Sequence, residues 1–337
     1  MIGKFPPKYL RKYIFNRIGV KDKDVILGPS IGEDSAIISI GDKYLVVHVD
    51  PITGSIEFLG WLAVHIVSND IAVTGANPRW LLPVYMFPTN VDERFIDEIT
   101  RQVDEAAKEV GAMIVGGHSE FTSGLPRPII SMTGLGMVDK DRLVMTSGAK
   151  EGDNIIMTKS VGLEGTAILA SDFKELLLEK GVSEIFLRNS MEKIKRVSVV
   201  KEALLLSKEG YATSMHDPTE GGILGGLTEI AYASNKTLVV YEDKMSIDED
   251  TLLYSKLLGI DPLRLISSGV LLATVPRDKT DDVMEFLKRN KIEASIIGFV
   301  KGYDNYLVEL HRSDGKVEYI RELQVLDELM RLWDLFK

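Results

Sequence analysis

Residues 24–50 read DVILGPSIGEDSAIISIGDKYLVVHVD, and this stretch decides the fold of the first part of the chain. It contains three apolar runs separated by glycines, which predicts short strands broken by turns. The predicted strands are 25–27, 35–40 and 44–49. Asp34 precedes the second strand and Asp50 closes the third, so carboxylates are expected at the strand ends.

Two helices and three further strands are predicted to complete this strand-rich half. Apolar residues recur there at helical spacing, and glycines follow the helical patterns. The predicted helices are 58–73 and 93–110, and the predicted strands are 80–87, 112–115 and 129–138. The pattern changes at a polar turn, Lys150–Asp153. We therefore expect a first domain over 1–150 and a second over 151–337.

The second half alternates helices with strands in a different order. Helices are predicted near 165–173, 197–209, 220–233, 278–289 and 323–336, and strands near 154–158, 238–241, 269–275, 295–300 and 306–310. Long helices between strands are typical of an α/β or α+β layer. A chain of 337 residues also exceeds what one core usually serves. The predicted fold is therefore a two-domain α/β (α+β) fold.

Charge and composition exclude several classes of function. The chain has 40 Lys and Arg against 50 Asp and Glu, and this net charge of −10 disfavours nucleic acid as a partner. It has no cysteine, which excludes disulfides and thiolate metal sites and fits a reducing compartment. The longest apolar runs fall short of the roughly 20 residues that span a bilayer, and no secretory signal is present. We expect a cytoplasmic protein without a membrane partner.

Asp70 is the most informative single residue, because it lies inside an apolar helical pattern where an unpaired charge would be costly. A metal ion would satisfy it; the alternative is a backbone hydrogen bond or a salt bridge to Arg79. Magnesium suits dispersed carboxylates that meet a polyphosphate. The five histidines lack the spacing of a zinc or copper site, and His48 and His65 are interpreted as packed residues.

Two further motifs combine glycines with ionisable groups. Gly-Gly-His-Ser-Glu at 116–120 follows a predicted strand and could bring backbone N–H groups to an anion beside an acid–base pair. Asp-Pro-Thr-Glu-Gly-Gly at 217–222 precedes a predicted helix, whose N-terminus could bind an anion. The structural alternatives are a glycine-rich turn and an ordinary N-cap. Neither a GxxxxGK[ST] loop nor GxGxxG occurs.

Taken in order, these motifs resemble one family. They are GEDSA at 32–36, VDPITG at 49–54, Asn69-Asp70, GGHSE at 116–120 and DPTEGG at 217–222. The set is similar to the AIR synthase (PurM-like) superfamily, and most of all to its HypE-type hydrogenase maturation factors. The resemblance implies a homodimer whose N-terminal domains join their sheets into a barrel-like interface, with ATP in the groove so formed.

The resemblance also implies roles for individual residues. Magnesium on the triphosphate would be held by Asp34, Asp50 and Asp70. The nucleotide would lie by Asn69, Gly116 and Gly117, with Asp50 beside it and Gly3-Lys4 in a segment that closes over ATP. The reacting centre would be faced by His118, Glu120, Asp217 and Glu220. The family's shared chemistry is phosphorylation of an amide or carboxylate oxygen by ATP, which relies on positioning and charge neutralisation.

The sequence departs from the HypE pattern in having no cysteine, whereas HypE looks to carry its carbamoyl group on a terminal cysteine. The resemblance therefore implies an ATP- and magnesium-dependent enzyme that activates a separate small-molecule or protein-borne substrate. One alternative is a nucleotide-binding assembly or regulatory protein related to hydrogenase maturation. Another is a small-molecule kinase resembling thiamine-monophosphate kinase. A third is a scaffold whose acidic turns are only structural.

Overall fold

The computed structural model describes residues 4–336, which form two seven-stranded sheets with helices packed against them. The first sheet has the order β1-β2-β3-β7-β4-β5, and β6 also pairs with β4. Its strands are β1 Val25–Leu27, β2 Ala36–Ile40, β3 Lys43–Ile52, β4 Asn77–Pro88, β5 Met113–Ile114, β6 His118–Thr122 and β7 Ile129–Asp139. Strands β3, β7 and β4 are antiparallel neighbours, whereas β5 and β6 run parallel to β4.

Strands β3 and β7 carry apolar residues on both faces, and burial alternates along β7. On β7 every second residue from Ile130 to Val138 is buried, and the residues between are half-buried. The buried set faces α2 (Leu59–Ala72) and α3 (Glu93–Val110). Because directly paired residues share a face, the half-buried set forms a second, open face of the sheet.

Helix α2 lies at the centre of the molecule. All of its residues except Trp61 are buried, and it packs on the first sheet, on α3 and on residues of the second half. A helix that is apolar all round is stable only when it is covered on every side. Helix α3 instead has one buried face, and its ends match the sequence prediction, with Asp92 capping Phe95 N and Gly111 in the left-handed conformation.

The second sheet has the order β14-β13-β10-β12-β8-β11-β9. Its strands are β8 Asn154–Thr158, β9 Ser214–His216, β10 Lys236–Tyr241, β11 Leu272–Val275, β12 Ala294–Gly302, β13 Val308–His311 and β14 Val317–Ile320. The helices are α1 Pro7–Tyr9, α4 Leu163–Asp172, α5 Lys174–Glu179, α6 Glu184–Met191, α7 Val200–Lys208, α8 Gly222–Ser234, α9 Glu249–Leu258, α10 Thr280–Arg289 and α11 Glu328–Leu335. Helix α8 covers one face of this sheet, and α7 and α10 cover the other.

The predicted fold class is confirmed, and several local predictions change. Residues 118–122 form strand β6, not a turn, because they pair with β4. The stretch between Asp172 and Asn189, where no element is predicted, contains α5 and most of α6. The predicted boundary at residue 150 falls between β7 and β8; as a division into domains it stays a prediction. Among residues 4–336, no helix is both long enough and apolar enough to span a membrane.

Candidate cation and nucleotide site

His48, Asp50 and Asp70 converge where β3 meets α2 and form a three-residue group, the cation cluster. Alternation along β3 points residues 48 and 50 to the same face of the sheet, which is the face that α2 covers. His48 Nε2 lies 3.2 Å from Asp70 Oδ2 and 3.9 Å from Asp50 Oδ1. One ligand atom from each residue lies within 4.8 Å of the others, and this is the sole group of its kind among the described residues.

Asp70 is the buried member of this group, with 5% of its surface exposed. Burial raises the pKa of Asp70 well above its usual value, and nearby Asp50, Asp34 and Asp217 add to this while His48 opposes it. Within residues 4–336 its Oδ2 atom has no hydrogen-bond partner. The alternative salt bridge to Arg79 is not formed, because the Arg79 guanidinium stacks on Trp80 at 4.4 Å.

His48, interpreted from the sequence as a packed residue, lies within this three-residue group. Burial opposes its protonation, but the charges of Asp70 and Asp50 outweigh burial and raise the pKa of His48 to about 9. The available signal was its spacing, because a histidine two positions before Asp50 on a strand must share its face. The carboxylate and imidazole atoms of this group could hold one divalent cation.

Asp34 belongs to a neighbouring network that joins the two halves of the chain. Its Oδ2 lies 2.7 Å from His216 Nδ1 and accepts a 3.2 Å hydrogen bond from Thr146. The other ring nitrogen of His216 lies 2.8 Å from Glu229 Oε2. Asp34 is not a member of the three-residue group, although its charge reaches Asp70. Sequence reasoning missed His216 and Glu229 because no local pattern connects them to Asp34.

Burial opposes protonation of His216, but Asp34 and Glu229 on either side raise its pKa well above the ordinary value. For Glu229, burial favours the neutral acid, yet Lys4 and His216 outweigh it and hold the pKa of this carboxyl at about 2. His216 is therefore an imidazolium at neutral pH and Glu229 a carboxylate. The network fixes Asp34 at the edge of the cluster.

Asn69 and Asp217 form a second connection between the halves. The Asn69 amide donates to Val197 O and to Asp217 Oδ2, both at 2.8 Å, and its oxygen accepts from Val199 N at 2.8 Å. Asp217 Oδ1 also accepts from Gly269 N. Burial raises the pKa of Asp217 to about 7, although the hydrogen bond from Asn69 acts to lower it. Both side chains are buried in this contact; their roles beside a nucleotide and a reacting centre stay predictions.

Lys4 and Glu220 meet at the start of α8. The Lys4 backbone N–H donates to Glu220 Oε2 at 2.9 Å, and its ammonium lies 3.5 Å from Glu229. Gly3, predicted to belong to the same segment, lies outside the described residues. The anion site expected at the N-terminus of α8 is filled by the chain itself, because Gly221 N donates to the Asp327 carboxylate at 2.8 Å.

His118 and Glu120 lie apart from this cluster within one chain. They pair with Val84 and Met86 on β4, and through β7 the register aligns His118 with Pro51 of β3. His118 and Glu120 therefore point to the open face, whereas Asp50, one residue before Pro51, points to α2. Three strand spacings, roughly 14 Å, separate strand β6, which carries His118, from strand β3, which carries Asp50. His118 Nε2 instead lies 3.1 Å from Glu120 Oε2, at the surface.

Gly116 and Gly117 differ in what they contact. Gly117 has φ of +143°, and a Cβ there would lie 2.2 Å from the Pro83 carbonyl oxygen. It is therefore required for the close approach of β6 to β4. A Cβ on Gly116 would meet its nearest described neighbour, Leu82, at 3.8 Å. Gly116 therefore has space for a side chain whereas Gly117 does not, and the nucleotide role of both stays a prediction.

Both halves match models of one protein family. Residues 32–138 match the N-terminal domain of AIR synthase related proteins, and residues 150–309 match the C-terminal domain. The first match spans the carboxylates of the cluster, and the second spans His216 and Glu229.

The chain belongs to the AIR synthase related family. Within this family it is similar to a putative hydrogenase expression/formation protein of Methanocaldococcus jannaschii, with 29% identity over 91% of each chain. It is also similar to the carbamoyl dehydratase HypE of Rhizobium leguminosarum bv. viciae, with 27% identity over 84% of this chain and 81% of the relative. These matches confirm the family resemblance found in the motifs.

A solved family structure shares the fold. It is the hydrogenase maturation protein HypE in complex with ATP, which superposes with a TM-score of 0.71 and 23% identity over 96% of this chain and 94% of HypE. At this level of identity the likeness establishes the common fold of the two chains.

Proposed function

We propose that the protein binds magnesium-ATP through Asp34, Asp50 and Asp70. The bound ATP would phosphorylate an amide or carboxylate oxygen of a separate substrate. The observation that carries this proposal is Asp70, whose buried oxygen lacks a hydrogen-bond partner among residues 4–336 and faces Asp50 and His48. Besides the imidazole of His48, a divalent cation bound between these side chains would compensate the buried carboxylate. The ATP complex of HypE supports the choice of nucleotide.

Asp50 and Asp70 would hold the ion directly, and Asp34 would do so from the adjoining network. Asp50 is more than a third exposed, so the group opens to solvent where a triphosphate could approach. When bound, magnesium neutralises the negative charge of the phosphates. His216 and Thr146 hold Asp34 in place, and the Lys4 ammonium, which pairs with Glu229 of the same network, would be available to contact a phosphate.

A homodimer would bring the remaining predicted residues to the nucleotide. The open face contains Val47 and Val49 of β3 and, paired with them, Leu135 and Thr133 of β7. Val49 is 55% exposed, which is unusual for a valine in the middle of a sheet. Pairing of two open faces would cover these side chains. It would also place His118 and Glu120 at the joint interface, where they could exchange a proton with the substrate.

Nucleotide binding tests the cation cluster. We expect Asp70→Asn to weaken magnesium-ATP binding by about 100-fold or more, because a metal ligand is removed. Titration calorimetry measures the affinity, and thermal unfolding checks that the variant is folded at the temperature of the titration. The control is Asp104→Asn on the exposed face of α3, where the carboxylate only pairs with Lys108. Undiminished binding by the Asp70 variant would refute the assignment.

Product analysis separates the proposed reaction from its alternatives. A screen of amides, carboxylates and alcohols should find a substrate that stimulates release of both ADP and phosphate, because the phosphorylated oxygen later leaves as phosphate. A small-molecule kinase would release ADP while the phosphoryl group stays on the product. An assembly or regulatory protein would bind ATP tightly without turnover, and a scaffold would not bind it.

A further inference from the structure

The imidazole of His48 distinguishes the cation cluster from a site built of oxygen atoms. Its Nε2 atom lies 3.2 Å from Asp70 Oδ2, and the carboxylates of Asp50 and Asp70 complete a set of two oxygens and one nitrogen. The second observation is the 95% burial of Asp70, whose Oδ2 atom makes no hydrogen bond within residues 4–336 and lies against this nitrogen. The group therefore combines a mixed ligand set with a buried carboxylate oxygen that faces the other two ligands.

Nitrogen changes which cation such a site prefers. Magnesium takes oxygen ligands in near-octahedral geometry and binds imidazole poorly, whereas Mn²⁺, Co²⁺ and Zn²⁺ accept imidazole together with carboxylates. Affinity for a mixed nitrogen and oxygen site rises from manganese to cobalt along the first transition series. His48 on β3 is also held in position, because the strand places it between the two carboxylates.

We propose that His48 is a direct metal ligand and that the cluster prefers a divalent transition metal over magnesium. The inference rests on the proposed function in one respect, namely that the cation of the nucleotide occupies this cluster. It adds the identity of the metal class and a ligand that the aspartate motifs do not include. ATP would then be bound with Mn²⁺ or Co²⁺ more tightly than with Mg²⁺.

Metal binding without nucleotide tests the proposal. Titration of the untagged protein with Co²⁺, followed by visible absorption, and with Mg²⁺, followed by calorimetry, should give at least about ten-fold tighter binding of Co²⁺. His48→Gln should lower the ratio of the two affinities by about ten-fold, through loss of Co²⁺ affinity. The control is His311→Gln, which removes a histidine that also lies beside a carboxylate, 2.9 Å from Glu309.

Pulsed electron paramagnetic resonance of bound Mn²⁺ gives a direct signature of the ligand. The wild type and His311→Gln should show modulation from an imidazole nitrogen, and His48→Gln should not. Absence of the nitrogen signal from the wild type, or its persistence in His48→Gln, overturns the proposal. If magnesium-ATP binds without a nitrogen signal on Mn²⁺, this inference fails and the proposed function stands. If bound Mn²⁺ shows the nitrogen signal but the protein does not bind ATP, His48 is a metal ligand and the proposed function fails.

Discussion

At the scale of single residues, burial sets the charge of several carboxyl groups. Glu164 lies in the first turn of α4 and is 2% exposed. Burial raises its pKa to about 8, although hydrogen bonds with Ser268 oppose the shift and the charges of Asp217 and Asp327 add to it. Its Oε2 atom has no hydrogen-bond partner in the part of the chain that the structure describes. Glu164 is therefore a buried neutral acid at neutral pH.

The raised pKa of Glu164 predicts a pH-dependent stability. Between pH 4.5 and about 8 the unfolded chain releases this proton while the folded chain keeps it, so the free energy of unfolding should fall as pH rises. Glu164→Gln removes this dependence and should be more stable than the wild type by several kcal/mol above pH 8. Urea unfolding from pH 5 to 9 measures the effect, with exposed Glu179→Gln as the control. Parallel curves for wild type and Glu164→Gln would contradict it.

Individual residues of the candidate site differ in position from the sequence prediction. Asp50 and Asp70 lie together, whereas Asp34 pairs with His216 and is not in the three-residue group. His48 was interpreted as a packed residue, because an isolated histidine on an apolar strand usually is one. Its spacing to Asp50 predicts a shared face but contains no information about Asp70, which comes from α2.

At the scale of elements, strand β6 depends on one glycine. Gly117 allows the chain to pass within contact distance of the Pro83 carbonyl before β6 pairs with β4. Strand β6 is short and carries His118 and Glu120, so its position determines where these side chains lie. Periodicity could not predict the strand, because its pairing to β4 provides most of its stability and four of its five residues are polar.

The two adjacent glycines allow a matched test. Gly117→Ala should destabilise the protein by about 2 kcal/mol or more, because its Cβ would clash with backbone and its φ is unfavourable for alanine. Gly116→Ala should leave stability nearly unchanged, since its Cβ has space. Chemical denaturation measures both. Equal stability of the two variants would show that β6 is not packed as described.

At the scale of the whole molecule, the first sheet has one covered and one open face. Helices α2 and α3 cover the face that carries His48 and Asp50, and His118 and Glu120 lie on the other. A single chain therefore separates the two predicted groups of site residues. The proposed homodimer is the arrangement in which both groups could act on one nucleotide.

The open face predicts the oligomeric state. We expect Val49→Lys to convert the dimer to a monomer, because a charged side chain would be buried at the pairing surface. Analytical ultracentrifugation measures the change, and magnesium-ATP turnover should fall with it. The control is Val317→Lys on β14, an exposed strand valine of the second sheet. A wild-type protein that is monomeric at all concentrations would refute the dimer.

Buried polar contacts also join the two halves of the chain. Asn69 connects α2 to Val197, Val199 and Asp217, and His216 connects β9 to Asp34. Such contacts are directional, so they fix the position of the second half on the cation cluster.

The sequence alone determined the family, the α/β fold and most strands and helices, because apolar spacing and glycine breaks act over a few residues. The ordered motifs also predicted that Asp50 and Asp70 lie together, as they do in the structure, and their role in cation binding stays a prediction. Tertiary structure decided that His48 faces Asp70, that His216 links Asp34 to Glu229, and that His118 and Glu120 lie on the other face. These outcomes depend on strand register and on packing between distant segments, which the whole core sets and no local pattern encodes.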